Sequence, residues 1–260
     1  MDKTRVIPKI LPVKPPPTEY VKPLSPLLPQ PPACVLMCSP VRTGKSTIIS
    51  NLLLNEDFYG QEYFDQVKVI SNTINNDVTS RFLKDAFDVS DTYSDQQIID
   101  IVNHQKSYAK HDQPEIALIL DDCLGSVKRE SVVNHLASRF RHYNIKLLLF
   151  STQVFKSCGT VIRQNTTNLI VGSPFPNKKE LEKIAEEFGD CYGGKDNFLK
   201  IYRLCTPNRY DFMHCDLQNN PPLAYHNMES LVAKGPHIVI GEHGDNQNDE
   251  ILENSEQIKK

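Results

Sequence analysis

Three polar groupings, each placed directly after an apolar run, carry the residue types and spacings in this 260-residue chain that could do chemistry. The first is Ser39-Pro40-Val41-Arg42-Thr43-Gly44-Lys45-Ser46-Thr47, which follows Ala33–Cys38 and leads into a helix-period segment. A loop ending in Gly-Lys-Ser at a helix N-terminus gathers backbone amides, an ammonium and a hydroxyl in one small volume. A nucleoside triphosphate and its Mg2+ require that set. In this reading Lys45 meets the β and γ oxygens of ATP, and Ser46 offers its hydroxyl to the metal. The complete pattern G-x-x-x-x-G-K-[ST] asks for glycine where this chain has Ser39. Serine serves there if its backbone need not take positive φ, while Pro40 stiffens the start of the loop and removes one amide donor.

The second grouping ends the run Ile116-Ala-Leu-Ile-Leu-Asp-Asp122. A buried strand ending in Asp121 supplies the usual second protein contact to Mg2+ behind a phosphate loop, and Asp122 could orient and deprotonate an attacking water. An Asp-Asp pair can also simply cap a helix. The third grouping, Ser151-Thr152-Gln153, ends the run Lys146-Leu-Leu-Leu-Phe-Ser-Thr-Gln153. The Gln153 amide could read a γ-phosphate or hold the water, or it could merely begin a loop. Together the three groupings are far more specific than any one alone.

The elements that must position them alternate along the chain. Apolar runs of strand length occur at Ala33–Cys38, Gln66–Ser71, 115–121, 145–151 and Asn168–Gly172. Helix-period segments lie at Lys45–Leu54, 77–87, 94–109 and 128–143. Near-continuous Val, Ile and Leu in strands separated by helices predict an α/β fold with a mostly parallel central sheet covered on both faces. Ligands of such sheets gather beyond the carboxyl ends of the strands, where all three groupings fall. Further on, 177–188 reads as an amphipathic helix, and 198–204 with 209–216 reads as a terminal β-hairpin around Cys-Thr-Pro-Asn.

Composition bounds the rest. Residues 1–32 hold ten of the eighteen prolines, which predicts an extended or disordered arm outside the core, possible docking of a shell or a subunit included. Residues 33–240 form the expected catalytic domain, and 241–260, polar and acidic, read as a disordered tail. The net charge of −3 argues against a generally basic surface but says nothing of a local basic ring or groove. Seven cysteines without a C-x-x-C spacing read as reduced thiols in a cytosol-like compartment, and no apolar run has the ~20 residues that span a bilayer.

From Ser138 through Gln153 (SRFRHYNIKLLLFSTQ) and on through Val161-Ile-Arg-Gln-Asn-Thr-Thr-Asn-Leu-Ile-Val171, the chain resembles the poxvirus-type genome-packaging ATPases of large DNA viruses and virophages, a branch of the HerA-FtsK superfamily. The likeness runs from about Cys34 to Asp216. The family's phosphate loop, acidic pair, Arg-His, strand-terminal Gln and Ile-Arg-x-Asn correspond to Gly44-Lys45-Ser46, Asp121-Asp122, Arg141-His142, Gln153 and Ile162-Arg163-Gln164-Asn165. Where the superfamily commonly has Glu after the metal-binding Asp, this chain has the shorter Asp122.

The resemblance implies a RecA/FtsK-like P-loop ATPase acting as a homo-oligomeric ring that drives double-stranded DNA into a preformed capsid. It implies a partner at the capsid vertex or shell and work in the host cytoplasm, a viral factory or the virion. It also implies an arginine acting across subunits on the γ-phosphate, with Arg163 first, Arg141 second and Arg139 a solvated alternative. Three other readings stand beside it. One is a related ATPase that moves protein to assemble a virion or filament. Another is a small nucleoside or nucleotide kinase, against which the chain has no arginine-rich lid and does have Gln153. The last is a non-enzymatic relic, against which Lys45, Ser46, Asp121 and Asp122 are intact.

Overall fold

The computed structural model describes residues 24–75, 81–128 and 130–239. The expected arm, apart from 24–32, and the expected tail 241–260 lie outside the described residues, as do 76–80 at the start of the expected helix 77–87.

The chain alternates as its pattern requires: β1 (Ala33–Cys38), α1 (Lys45–Leu54), β2 (Gln66–Ser71), α2 (Arg81–Ala86), β3 (Asp88–Ser90), α3 (Asp95–Ser107) and β4 (Ile116–Asp121). It continues with α4 (Val132–Arg139), β5 (Ile145–Thr152), α5 (Thr160–Asn165), β6 (Asn168–Gly172), α6 (Lys178–Phe188) and α7 (Lys195–Cys205). Four strands close it: β7 (Phe212–Asp216), β8 (Leu223–His226), β9 (Ser230–Lys234) and β10 (His237–Ile238). All ten strands form one sheet in the order β10-β9-β8-β7-β6-β1-β5-β4-β2-β3. It is parallel from β6 to β3, and β7 to β10 add antiparallel to the β6 edge.

β1 shows why both faces must be covered. Cys34, Leu36 and Cys38 enter one core with side chains of α3, α4, α5, α6 and α7, while Ala33, Val35 and Met37 enter another beneath α1. Strand residues alternate between faces, so an all-apolar strand needs an apolar layer on each side. α1 answers with Ile49, Leu52 and Leu53 on one stripe. Residues 24–32 lie against the same face, with Leu28 buried there and the Tyr59 hydroxyl bonded to the Pro29 carbonyl. α3 starts where its local chemistry dictates: the Ser94 hydroxyl accepts from the Gln97 amide at 3.3 Å, and the Gln97 carboxamide oxygen accepts from the Ser94 amide at 2.8 Å.

Three expectations are corrected. Residues 198–204, read as a strand, belong to α7, because Phe198, Ile201, Tyr202 and Cys205 recur at helical spacing and all four are buried. The hairpin partner 209–216 is strand only from Phe212, and the antiparallel pairing comes from β8 instead. The helix expected at 128–143 begins only at Val132, where the Ser131 hydroxyl caps it by accepting from the Val133 amide, and it tightens into a 3-10 turn over Phe140–Tyr143. Strands β3 and β8 to β10 were not anticipated.

The step from β1 into its loop explains how serine fits where glycine is usual. Cys38 is paired with Thr152 on one side and Val171 on the other, so Ser39 stands opposite Gly172. A Cβ on residue 172 would lie 1.9 Å from Ser39 Oγ, a distance no packing accommodates. The side-chain volume that residue 39 gains is thus given up by residue 172. The Ser39 hydroxyl then ties to that of Thr43, which donates to the Pro40 carbonyl at 2.6 Å. We expect Gly172→Ala to destabilise the fold by about 1–3 kcal/mol, as overpacking does. Adding Ser39→Gly should recover most of that loss, and urea unfolding of the single and double variants measures the coupling. Additive effects would show that the two positions do not share the space.

Candidate functional site

Parallel register brings the three groupings to one edge. β1, β5, β4 and β2 run side by side, with Asp121 in register with Ser71 on one side and Ser151 on the other. Residues just past the ends of β4 and β5 therefore emerge beside the loop that follows β1. There the loop turns through left-handed backbone at Arg42 (φ 60°) and Gly44 (φ 92°) before α1 begins at Lys45.

Lys45 Nζ lies 3.3 Å from Asp122 Oδ2 and donates to the Ser39 carbonyl at 3.2 Å. The carboxamide nitrogen of Gln153 donates to the same Asp122 oxygen at 2.9 Å. One carboxylate thus links the ends of three strands. Asp122 reaches this place through left-handed backbone (φ 49°), and its amide donates to the Ser151 carbonyl at 3.0 Å.

Asp121 points elsewhere. It is buried, its Oδ2 accepts from the Ser71 hydroxyl at 2.8 Å, and its Oδ1 has no hydrogen-bond partner. Burial holds this carboxyl above its ordinary value and the charge of Asp122 adds to that, while the hydroxyls of Ser151 and Ser71 and the Lys45 ammonium pull the other way. Ser46 and Asp121 line the same small space under the loop. A buried carboxylate whose Oδ1 makes no geometric hydrogen bond, lining one tight space with the Ser46 side chain, is a donor set of the kind a hard cation takes.

These groups front a cavity of about 990 Å³. Pro40, Val41, Arg42, Gly44, Lys45, Ser46 and Thr47 line it, with Thr73, Asp122 and Gln153 toward β2, β4 and β5. Ser39 and Thr43 are buried behind the loop instead. Its other wall was not foreseen: Asn51 and Phe58 from the α1 side, and Arg209, Tyr210, Phe212, Asn227 and Glu229 from around β7 and β8. The only sequence signal for that wall was the turn composition near Cys-Thr-Pro-Asn, which says nothing of what the turn faces.

Arg163 does not line the cavity. Its guanidinium pairs with Glu187 of α6 at 2.7 Å, donates to the Thr160 hydroxyl at 3.2 Å and lies over the Phe155 ring, 5.2 Å from its centroid. Phe155 follows the end of β5, and Glu187 lies in the last turn of α6. Arg141 is exposed in the 3-10 turn that precedes β5, at the opposite edge, and Arg139 is exposed at the end of α4.

No protein-family model and no curated protein sequence matches the chain. Among solved structures, it is similar to B204, the DNA-packaging ATPase from Sulfolobus turreted icosahedral virus. The identity is 16% and the TM-score 0.57, over 75% of this chain and 98% of that one. The genome-packaging NTPase B204 from Sulfolobus turreted icosahedral virus 2 is also similar. Its AMPPCP complex aligns at 14% identity and TM-score 0.51, over 74% of this chain and 96% of that one. Its ATP-γS complex aligns at 15% and 0.52, over 75% and 97%. At such identities the likeness speaks to architecture: the chain has the α/β fold of P-loop packaging ATPase structures, a mostly parallel sheet with antiparallel C-terminal strands.

Proposed function

We propose that this protein is a Mg-dependent ATPase that works as a homo-oligomeric ring to package viral double-stranded DNA into a preformed capsid. The observation that carries the reading is the meeting of Lys45, Asp122 and Gln153 at one oxygen, beside a phosphate-loop turn and a cavity large enough for a nucleotide. The fold shared with a DNA-packaging ATPase supports DNA as the cargo. A capsid vertex or shell protein would be the docking partner, and the host cytoplasm or viral factory the place of work. No described helix is long and apolar enough to cross a membrane.

The site chemistry follows from its own residues. With triphosphate in the cavity, the Lys45 ammonium, whose three N–H donors now serve the Ser39 carbonyl and Asp122, would turn toward the phosphate oxygens, whose greater charge draws it from Asp122. Asp122 is then free to accept a proton from a water that the Gln153 amide helps to place. The Ser46 hydroxyl and Asp121 would hold Mg2+, which when bound neutralises developing charge on the β and γ oxygens. Arg163, released from Glu187, would reach the γ-phosphate of a neighbouring subunit.

The function is tested by ATP turnover with and without duplex DNA. Turnover should rise with DNA and fall by about a hundredfold or more in Asp122→Asn, which keeps Mg·ATP binding. Turnover indifferent to DNA would remove the packaging reading and leave an ATPase.

Asp121→Asn should raise the thermal stability of the nucleotide-free protein while abolishing the extra stabilisation by Mg·ATP. A carboxyl whose folded pKa is raised from its ordinary 3.8 contributes stability that is complete below that value. That contribution is lost as pH rises through the folded pKa. The advantage of Asp121→Asn over wild type should therefore grow from about pH 4 upward. A constant difference across acidic pH contradicts the assignment.

For Arg163, rings mixed from Arg163→Ala and Lys45→Ala subunits should regain part of the activity that each variant lacks alone. Mixed rings verified by co-purification that stay inactive, where wild-type and Lys45→Ala mixtures remain active, shift the role to Arg141.

A further inference from the structure

The cavity is larger than a triphosphate needs, and its wall on the β7 side carries two aromatic rings, Tyr210 and Phe212, among the polar Arg209, Asn227 and Glu229. We propose that Tyr210 is the platform on which the base of the bound nucleotide stacks, an inference that rests on reading the cavity as a nucleotide site.

The backbone singles this residue out. Tyr210 has φ 75°, a conformation that bulky non-glycine residues rarely hold, at a cost on the order of 1–3 kcal/mol. Burial does not offset that cost, because the residue is 56% exposed. The strain is instead imposed by neighbouring bonds. The Tyr210 amide donates to the Ser173 carbonyl at 3.3 Å. The Asp211 carboxylate accepts from the Asn208 amide at 2.8 Å and from the Asn227 side chain at 3.1 Å. The Asn227 side-chain oxygen in turn accepts from the Phe212 amide at 2.8 Å. These ties span two strands and leave the turn little freedom.

Their effect is to hold an exposed ring beside the phosphate loop. Tyr210 Cδ1 lies 4.0 Å from the position a Cβ would take on Gly44. The strand order fixes the direction: β1 stands between β5, which leads to Gln153, and β6, whose other neighbour is β7. A nucleotide with its γ-phosphate toward Asp122 and Gln153 therefore extends its nucleoside toward Tyr210. The Arg209 guanidinium, 4.9 Å from the ring centroid, adds a planar cation of the kind that stacks on bases, and Phe58 and Phe212 supply apolar lining. A turn whose backbone is already tied loses little freedom when a base covers its exposed ring.

The test compares Mg·ATP with Mg·tripolyphosphate, which has the phosphates and no base, by titration calorimetry. Tyr210→Ala should weaken ATP binding roughly tenfold to a hundredfold and leave tripolyphosphate binding unchanged, while Tyr210→Phe keeps both. Tyr210→Gly guards against misfolding, since glycine takes positive φ freely. It should lose ATP affinity as Tyr210→Ala does and still unfold at a higher temperature than Tyr210→Ala. ATP affinity kept in Tyr210→Gly, with tripolyphosphate binding intact, overturns the stacking role alone. Wild-type protein that binds neither ligand overturns the phosphate-loop reading and this proposal with it.

Discussion

The site depends on one carboxylate oxygen. Asp122 Oδ2 receives the Lys45 ammonium at 3.3 Å and the Gln153 amide at 2.9 Å, so the segments after β1, β4 and β5 converge on a single atom. That convergence requires three strands of matched register, because a shift of one residue would turn every side chain to the other face. The register in turn depends on apolar strands buried on both faces, for which α1 and the α3 to α7 layers are the cover. The interaction at the edge and the core beneath it thus constrain each other.

The edge is also where the molecule departs from low-energy local structure. Among the described residues other than glycine, Arg42, Asp122, Tyr210 and Asn227 combine positive φ with a place on the cavity lining. Asp121 adds a buried carboxylate with an unpartnered oxygen. The strained backbone at Tyr210 and the buried Asp121 carboxylate cost folding free energy, which a polyphosphate and a cation between them would offset. Stability offset in this way comes from elsewhere, above all from strands β1, β4 and β5, in which most residues are fully buried.

The antiparallel strands give the site its second wall. β7 extends the sheet at the β6 edge, and the turn before it carries Arg209 and Tyr210 back over the phosphate loop. The parallel half of the sheet supplies Lys45, Asp122 and Gln153, and the antiparallel half supplies the facing wall of the cavity.

Much of this was written in local sequence. Gly44-Lys45-Ser46, Asp121-Asp122 and Gln153 each follow an apolar run, and strand ends in a parallel sheet collect at one edge whatever the details of packing. Helical spacing in α7 was also present in the sequence, but its aromatic and β-branched residues imitate a strand over seven positions, and only burial of Phe198, Ile201, Tyr202 and Cys205 on one stripe separates the two. Other features had no local signal at all. Gly172 makes room for Ser39 across a gap of 133 residues, and Tyr210 meets Gly44 across 166, pairings created only when β6 and β7 join the sheet beside β1. The sequence by itself determined that Gly44-Lys45-Ser46, Asp122 and Gln153 share an edge. Tertiary structure alone decided which serine and glycine share a volume, which oxygen joins Lys45 to Gln153 and what forms the far wall, because contacts between distant segments depend on strand order, which no local pattern encodes.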